Sequence, residues 1–118
     1  MCGFIGIFSP HGEAVAPQML TGLMAIQHRG QDAAGALTFD GRFHMHKGRG
    51  LVRDLFLPAD VERLTGNMGV AHVRYPTVGQ GGAEDAQPFQ ISYPFGIGMA
   101  HNGNVTNFEQ IKEQMSSQ

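Results

Sequence analysis

Short apolar runs alternate with glycine-rich turns along this chain, and the spacing of the apolar positions changes several times. The first run, Phe4-Ile5-Gly6-Ile7-Phe8, is bounded by a Ser9-Pro10-His11-Gly12 turn and reads as a buried strand. Met19, Leu20, Leu23, Met24 and Gln27 then recur at helical spacing. They predict a helix that opens near Pro17, a residue suited to a first turn, and is stopped by Gly30. Small residues over 34–39 predict a second strand, and Asp40-Gly41 is a hairpin signal leading into an alternating strand over 42–47. On that strand His44 and His46 share one face, expected to be solvated, with Phe43 and Met45 on the other. Leu51, Val52, Leu55 and Phe56 make a short helical turn ending by Pro58, and 61–64 is a candidate for another.

Gly66-Asn67 turns the chain into a strand over 68–75, with Met68, Val70, His72 and Arg74 on one face and Gly69, Ala71, Val73 and Tyr75 on the other. Gly79-Gln80-Gly81-Gly82 has the composition of a mobile loop. Strands over 91–93 and 95–101 follow, and the second runs into a tight Asn102-Gly103 turn. Thr106 with Glu109 fits a capping box for a last helix over 106–115, lined on one side by Phe108, Ile111 and Met115. This order of elements predicts an α+β fold, with helices packed on antiparallel sheets rather than an alternating parallel design.

Composition narrows the class. A length of 118 residues suits one domain, and 42 % apolar with 15 % charged residues suits a soluble globule. A net charge of −2 gives no electrostatic reason to expect nucleic acid or an anionic membrane as partner. No apolar stretch approaches a membrane span, and the start of the chain lacks the basic region of a signal peptide. The single cysteine rules out an intrachain disulfide, which makes a reducing cytoplasm the expected compartment. The six histidines are scattered and define no metal-ligand spacing.

That cysteine is Cys2, directly after the initiator. Removal of Met1 ahead of so small a side chain would leave a thiol and a free α-amine on one residue. The amine titrates at about 7.7–8.0, so near neutrality it can accept the thiol proton and return it to a leaving group. Three further stretches carry chemistry. The polar segment Gln27-His28-Arg29-Gly30-Gln31-Asp32 lies where a helix hands over to a strand. His72-Val73-Arg74-Tyr75-Pro76-Thr77 ends a strand with a guanidinium suited to gripping a carboxylate through two parallel hydrogen bonds. His101-Asn102-Gly103-Asn104 ends another strand with a side-chain amide and a glycine N–H, the two donors an oxyanion hole requires. Taken singly, each has a plainer reading: an inert terminal thiol, a surface ion pair, an ordinary turn.

Taken together, in this order, these segments resemble one family. With Ala86-Gln87-Pro88-Phe89 and Val105-Thr106-Asn107, they are similar to the N-terminal, class II glutamine amidotransferase domain of the amidophosphoribosyltransferases, over residues 1 to about 115. Gln31 and Tyr75-Pro76 favour that family over relatives that make glucosamine phosphate or asparagine. The resemblance implies an N-terminal-nucleophile hydrolase fold, an αββα sandwich of antiparallel sheets between helices, with Cys2 on an inner strand. It implies Cys2 as nucleophile with its amine as base, the Asn102 side chain and Gly103 N–H as oxyanion hole, Arg74 as clamp for the substrate carboxylate, and Thr77 as a weaker substrate contact. The substrate implied is L-glutamine, whose ammonia serves phosphoribosylamine formation in purine synthesis.

Members of the family continue well past this length. A residue that receives the substrate α-amine, strands completing the sheets, and a phosphoribosyltransferase domain with its magnesium site all fall outside these 118 residues. The expectation is therefore a C-terminally truncated domain, without a cofactor of its own, partnered by the absent part and homo-oligomeric when complete. Alone it is expected to be poorly active and marginally stable. A non-catalytic remnant or interaction fragment of the same domain is the alternative, and a different N-terminal-nucleophile hydrolase is a weaker third.

Overall fold

The computed structural model describes residues 1–75 and 82–118. Its centre is a four-stranded antiparallel sheet in the order β1-β4-β2-β3, built from β1 (Gly3–Phe8), β2 (Ala33–Phe39), β3 (Phe43–Arg49) and β4 (Met68–Arg74). The α+β reading holds. The Asp40-Gly41 signal is the β2–β3 hairpin, with Gly41 at φ +106° where a side chain would be strained.

One face of the sheet carries the helices. Helix α1 (Ala16–Ala25) has Pro17 in its first turn and buries Met19, Leu20 and Leu23. These pack with Ala34, Ala36, Ala71 and Val73 of the sheet and with Val52, Phe56 and Leu64. Helix α1 lies mainly over β4 and β1, and the small alanines of β2 fill the layer beside it. The helical turn after β3 resolves into α2 (Val52–Leu55) and α3 (Pro58–Arg63); Pro58 opens the second as well as ending the first. Asp60 Oδ2 accepts the Leu57 N–H at 3.0 Å at the start of α3.

The other face is covered by the chain from residue 82 on. It carries a two-stranded antiparallel sheet of β5 (Phe89–Ile91) and β6 (Ile97–Met99). Contact is close because the facing positions are glycines. A Cβ on Gly35 would run into the Gln87 carbonyl, one on Gly98 into Leu37, and one on Gly96 would lie 2.8 Å from the Phe43 ring. Lys47 fastens the crossing segment, donating to the carbonyls of Ala86 at 2.6 Å and Pro88 at 3.2 Å. Burial there lowers the Lys47 pKa.

The Gly35 contact gives a stability prediction. Gly35→Ala forces backbone to move and is expected to lower unfolding free energy by about 1–3 kcal/mol. Gly6→Ala meets nothing nearer than 3.7 Å and should leave the urea midpoint nearly unchanged. Equal midpoints for the two variants would show that the segment after residue 82 is not packed on β2.

Several expectations need correction. Strand β1 lies at an edge of the four-stranded sheet rather than inside it, and only alternate residues are covered. Ile5 and Ile7 pack toward the core, whereas Phe4 is 56 % and Phe8 62 % exposed. An apolar run reads as buried on both faces, but here only one face of β1 meets a helix. The histidine face of β3 is only partly solvated: His44 is held by Asp40 and Thr65, and His46 lies against α2. His44 Nε2 is 2.7 Å from Asp40 Oδ1 and His46 Nε2 is 2.8 Å from the Leu55 carbonyl.

Helix α1 ends at Ala25, and a separate 3₁₀ turn spans Gln27–Arg29. Gly30 is extended, so its role is close approach rather than a helix stop; a Cβ there would sit 2.5 Å from the Arg74 carbonyl carbon. Strands β5 and β6 are each three residues long and lie inside or before their expected spans, because Tyr93-Pro94 and the glycines break the apolar pattern. The last helix, α4 (Phe108–Ser116), starts after Asn107 with no side-chain cap, so Thr106 and Glu109 form no capping box. It buries none of its residues.

Candidate active site

Four segments meet at one end of the four-stranded sheet. Cys2 directly precedes β1, and antiparallel pairing sets Gly3 opposite Val73. The end of β4, at Arg74, therefore lies beside the cysteine. The 3₁₀ turn and Gly30 pack against the same end from the helix side, and the chain leaving β6 returns to it from the other.

The Cys2 thiol is half-buried and accepts the Tyr75 N–H at 3.5 Å. The Cys2 carbonyl is held from two directions: Arg29 Nε donates to it at 3.0 Å and Asn102 Nδ2 at 3.1 Å. The second bond joins residues 100 positions apart in sequence. An amide nitrogen has two hydrogens, and this bond uses one of them. Gly103 has φ +147°, a backbone state that glycine adopts without strain.

Arg74 does not stand alone. Its Nε and Nη2 both donate to Asp32 Oδ2, at 2.9 and 2.6 Å, and Arg49 Nη2 reaches the other carboxylate oxygen at 3.3 Å. The hydrogen bond from Arg74 holds the Asp32 carboxyl below the ordinary carboxylate range, against the opposing effect of burial. Both partners are largely shielded from water, and the pair fixes the plane of the guanidinium.

The structure thus brings together Cys2, Arg74, Asn102 and Gly103. Thr77 and the loop over 79–81 lie outside the described residues. Sequence reasoning gave no roles to Arg29, Asp32, Tyr75 or Gln87. Arg29 and Asp32 belong to the polar segment already singled out between helix and strand. The Tyr75 N–H is backbone and leaves no trace in residue type. Among the described residues no group of three or more His, Cys, Asp or Glu is placed to hold a metal ion, and no helix is long and apolar enough to cross a membrane.

No family model matches the chain. It is 45 % identical over 117 residues to amidophosphoribosyltransferase of Escherichia coli, a match covering 98 % of this chain and 23 % of that protein. The enzyme of the same name from Saccharomyces cerevisiae is 46 % identical over 118 residues, again 98 % of this chain and 23 % of the relative. Among solved structures, the glutamine phosphoribosylpyrophosphate amidotransferase of B. subtilis, complexed with ADP and GMP, superposes with a TM-score of 0.83 at 33 % identity. That match covers 99 % of this chain and 25 % of the other. A structure of the allosteric regulatory enzyme of purine biosynthesis gives the same TM-score at 36 % identity, with the same coverage.

The fold is that of an N-terminal-nucleophile hydrolase, in the form found in glutamine amidotransferases. Within that class the chain matches the N-terminal region of amidophosphoribosyltransferases along nearly its whole length. It spans 23 % of the length of those relatives.

Proposed function

We propose that this chain carries the glutaminase centre of an amidophosphoribosyltransferase, releasing ammonia from L-glutamine through a thioester on Cys2. The ammonia would serve phosphoribosylamine formation in purine synthesis, with the phosphoribosyl chemistry and its magnesium held by parts of a longer protein. The observation that carries the reading is the bond from Asn102 Nδ2 to the Cys2 carbonyl, which sets a candidate oxyanion donor against a candidate nucleophile.

Removal of Met1 frees the Cys2 α-amine. The amine takes the thiol proton, and the sulfur attacks the side-chain amide carbon of glutamine. Negative charge collects on the former carbonyl oxygen, which the second Asn102 Nδ2 hydrogen and the Gly103 N–H would stabilise. The protonated amine returns its proton to the departing nitrogen, ammonia leaves, and a thioester remains. Water, deprotonated by the same amine, attacks the thioester; glutamate departs and the thiol is restored. Arg74, its plane set by Asp32, clamps the substrate α-carboxylate.

A clamp of this kind acts in both ground and transition states, so it governs KM more than kcat. Loss of a charge-assisted pair costs about 1.5–3 kcal/mol. Arg74→Ala is accordingly expected to raise KM for glutamine roughly 10- to 100-fold with a much smaller change in kcat. The test is glutamate release from glutamine over a range of concentrations, by wild type and variant. An equal fall of kcat with KM unchanged would make Arg74 a structural residue, and no glutamate release by the wild-type chain carried in a protein of its relatives' full length would overturn the reading.

A further inference from the structure

His72 is the one fully buried histidine among the described residues, and nothing in the reaction above uses it. It sits on β4 opposite Gly35 of β2 and Phe4 of β1. Its neighbours Ala71 and Val73 point into the helix-side core, so the imidazole points to the other face, under the chain that leaves β6.

There its Nε2 lies 3.2 Å from the carbonyl oxygen of His101. A carbonyl can only accept, so the proton of this bond belongs to Nε2. Nδ1 on the same ring is buried and has no partner. These two facts fix one tautomer, with Nε2 as the donor and Nδ1 left as a bare acceptor. Burial lowers the His72 pKa, with the His101 carbonyl and Asn102 side chain acting against that fall. The His101 N–H is fixed as well, donating to Gln87 Oε1 at 2.6 Å. Residue 101 is thereby gripped on both sides of its Cα, by Gln87 at the amide and by His72 at the carbonyl. The next residue is Asn102, whose Nδ2 donates to the Cys2 carbonyl.

We propose that His72 is a positioning residue, donating from Nε2 to the His101 carbonyl and so holding the His101–Asn102 turn where the Asn102 amide nitrogen meets Cys2. A turn that drifts would carry that donor away from the developing oxyanion. His72 thus acts on the chemical step through Asn102 and touches neither substrate nor nucleophile. The inference rests on the glutaminase reading for its kinetic consequence, but not for its geometry.

The experiment has two arms on the full chain. In the first, long-range proton–nitrogen NMR reads the His72 ring; the expected pattern is a neutral ring protonated on Nε2. In the second, His72→Phe and His72→Gln are compared with wild type. Phe fills the space without a donor, while the Gln amide can place a donor near the Nε2 position. His72→Phe is expected to lower kcat for glutamate release about 10- to 100-fold, the scale of a small misplacement of a reacting group, with KM for glutamine within twofold. His72→Gln should recover most of that loss. Alkylation of Cys2 by iodoacetamide, which needs no oxyanion donor, should proceed at the wild-type rate in both variants. A ring protonated on Nδ1, or a folded His72→Phe variant with wild-type kcat, would overturn the proposal. So would a Gln variant as impaired as Phe. If His72→Phe fails to fold, the NMR pattern and the Gln variant decide. Nε2-protonated His72 in the wild-type chain, with no glutamate release even when that chain is carried in a protein of its relatives' full length, would count against the glutaminase reading and support the positioning geometry.

Discussion

Cys2→Ala is expected to abolish glutamate release from glutamine, a loss of about 10⁴-fold or more in kcat, while leaving the fold intact. The size follows from what the residue supplies. Without the sulfur there is no atom to carry the acyl group, and removal of an enzyme's nucleophile typically leaves only what substrate binding and oxyanion donors provide by themselves. Stability should hardly change, because the thiol is half-buried and its polar contacts are weak ones to the Tyr75 backbone, 3.5 Å from the N–H and 4.0 Å from the carbonyl. A urea midpoint equal to wild type, together with undetectable turnover, is the expected pair of results. Cys2→Ser is the sharper variant. It preserves shape and the α-amine but replaces the thiol with a hydroxyl, a smaller and intrinsically weaker nucleophile in a site built around sulfur. It should remain near the alanine level. A serine variant with more than a few per cent of wild-type turnover would point to another nucleophile.

Asn102→Ala is expected to lower kcat about 10²–10³-fold, the usual loss when one donor to an oxyanion is removed, with little change in KM. The donor works only as charge develops on the substrate oxygen, so its effect falls on the chemical step rather than on binding. Asn102 is exposed, so the variant should fold normally. Asn102→Asp adds a second distinction. It keeps the shape but substitutes an acceptor-only carboxylate for the donor, and should be at least as damaging as alanine near neutral pH. If the aspartate variant were as active as wild type, the Asn102 side chain would have only its structural bond to the Cys2 carbonyl. Steady-state glutamate release by the two variants, measured beside the Arg74→Ala series, separates loss of chemistry from loss of binding.

The sequence made the site easier to read than the layers around it. Cys2, Arg74 and the Asn102-Gly103 turn are marked by residue type and by position at strand ends, and residue type survives folding unchanged. The antiparallel α+β design was also legible, because Asp40-Gly41 and Gly66-Asn67 mark turns through backbone states available to few residues. Strand neighbours were not. Nothing local in Phe4-Ile5-Gly6-Ile7-Phe8 says whether one face or two will be covered, since that depends on pairing with β4, some 65 residues away. The same limit hid the partial burial of His44 and His46, whose partners Thr65 and α2 lie further along the chain. The glycines misled in one case for a physical reason. Gly30 looked like a helix stop, yet its backbone is extended and its missing Cβ makes room for Arg74. The partners of the site residues, Asp32 for Arg74 and His72 for the Asn102 turn, could be seen only once β2, β4 and the end of β6 were in place together.

The central claim is that Cys2, freed of Met1, is the nucleophile toward glutamine. The most direct measurement is intact-mass and peptide mass spectrometry of the purified chain after exposure to a diazo-ketone analogue of glutamine. The account predicts a protein beginning at Cys2, a single adduct on that residue, and protection by excess glutamine. Glutamine turnover by protein that retains Met1, or an adduct on any other residue, would contradict it.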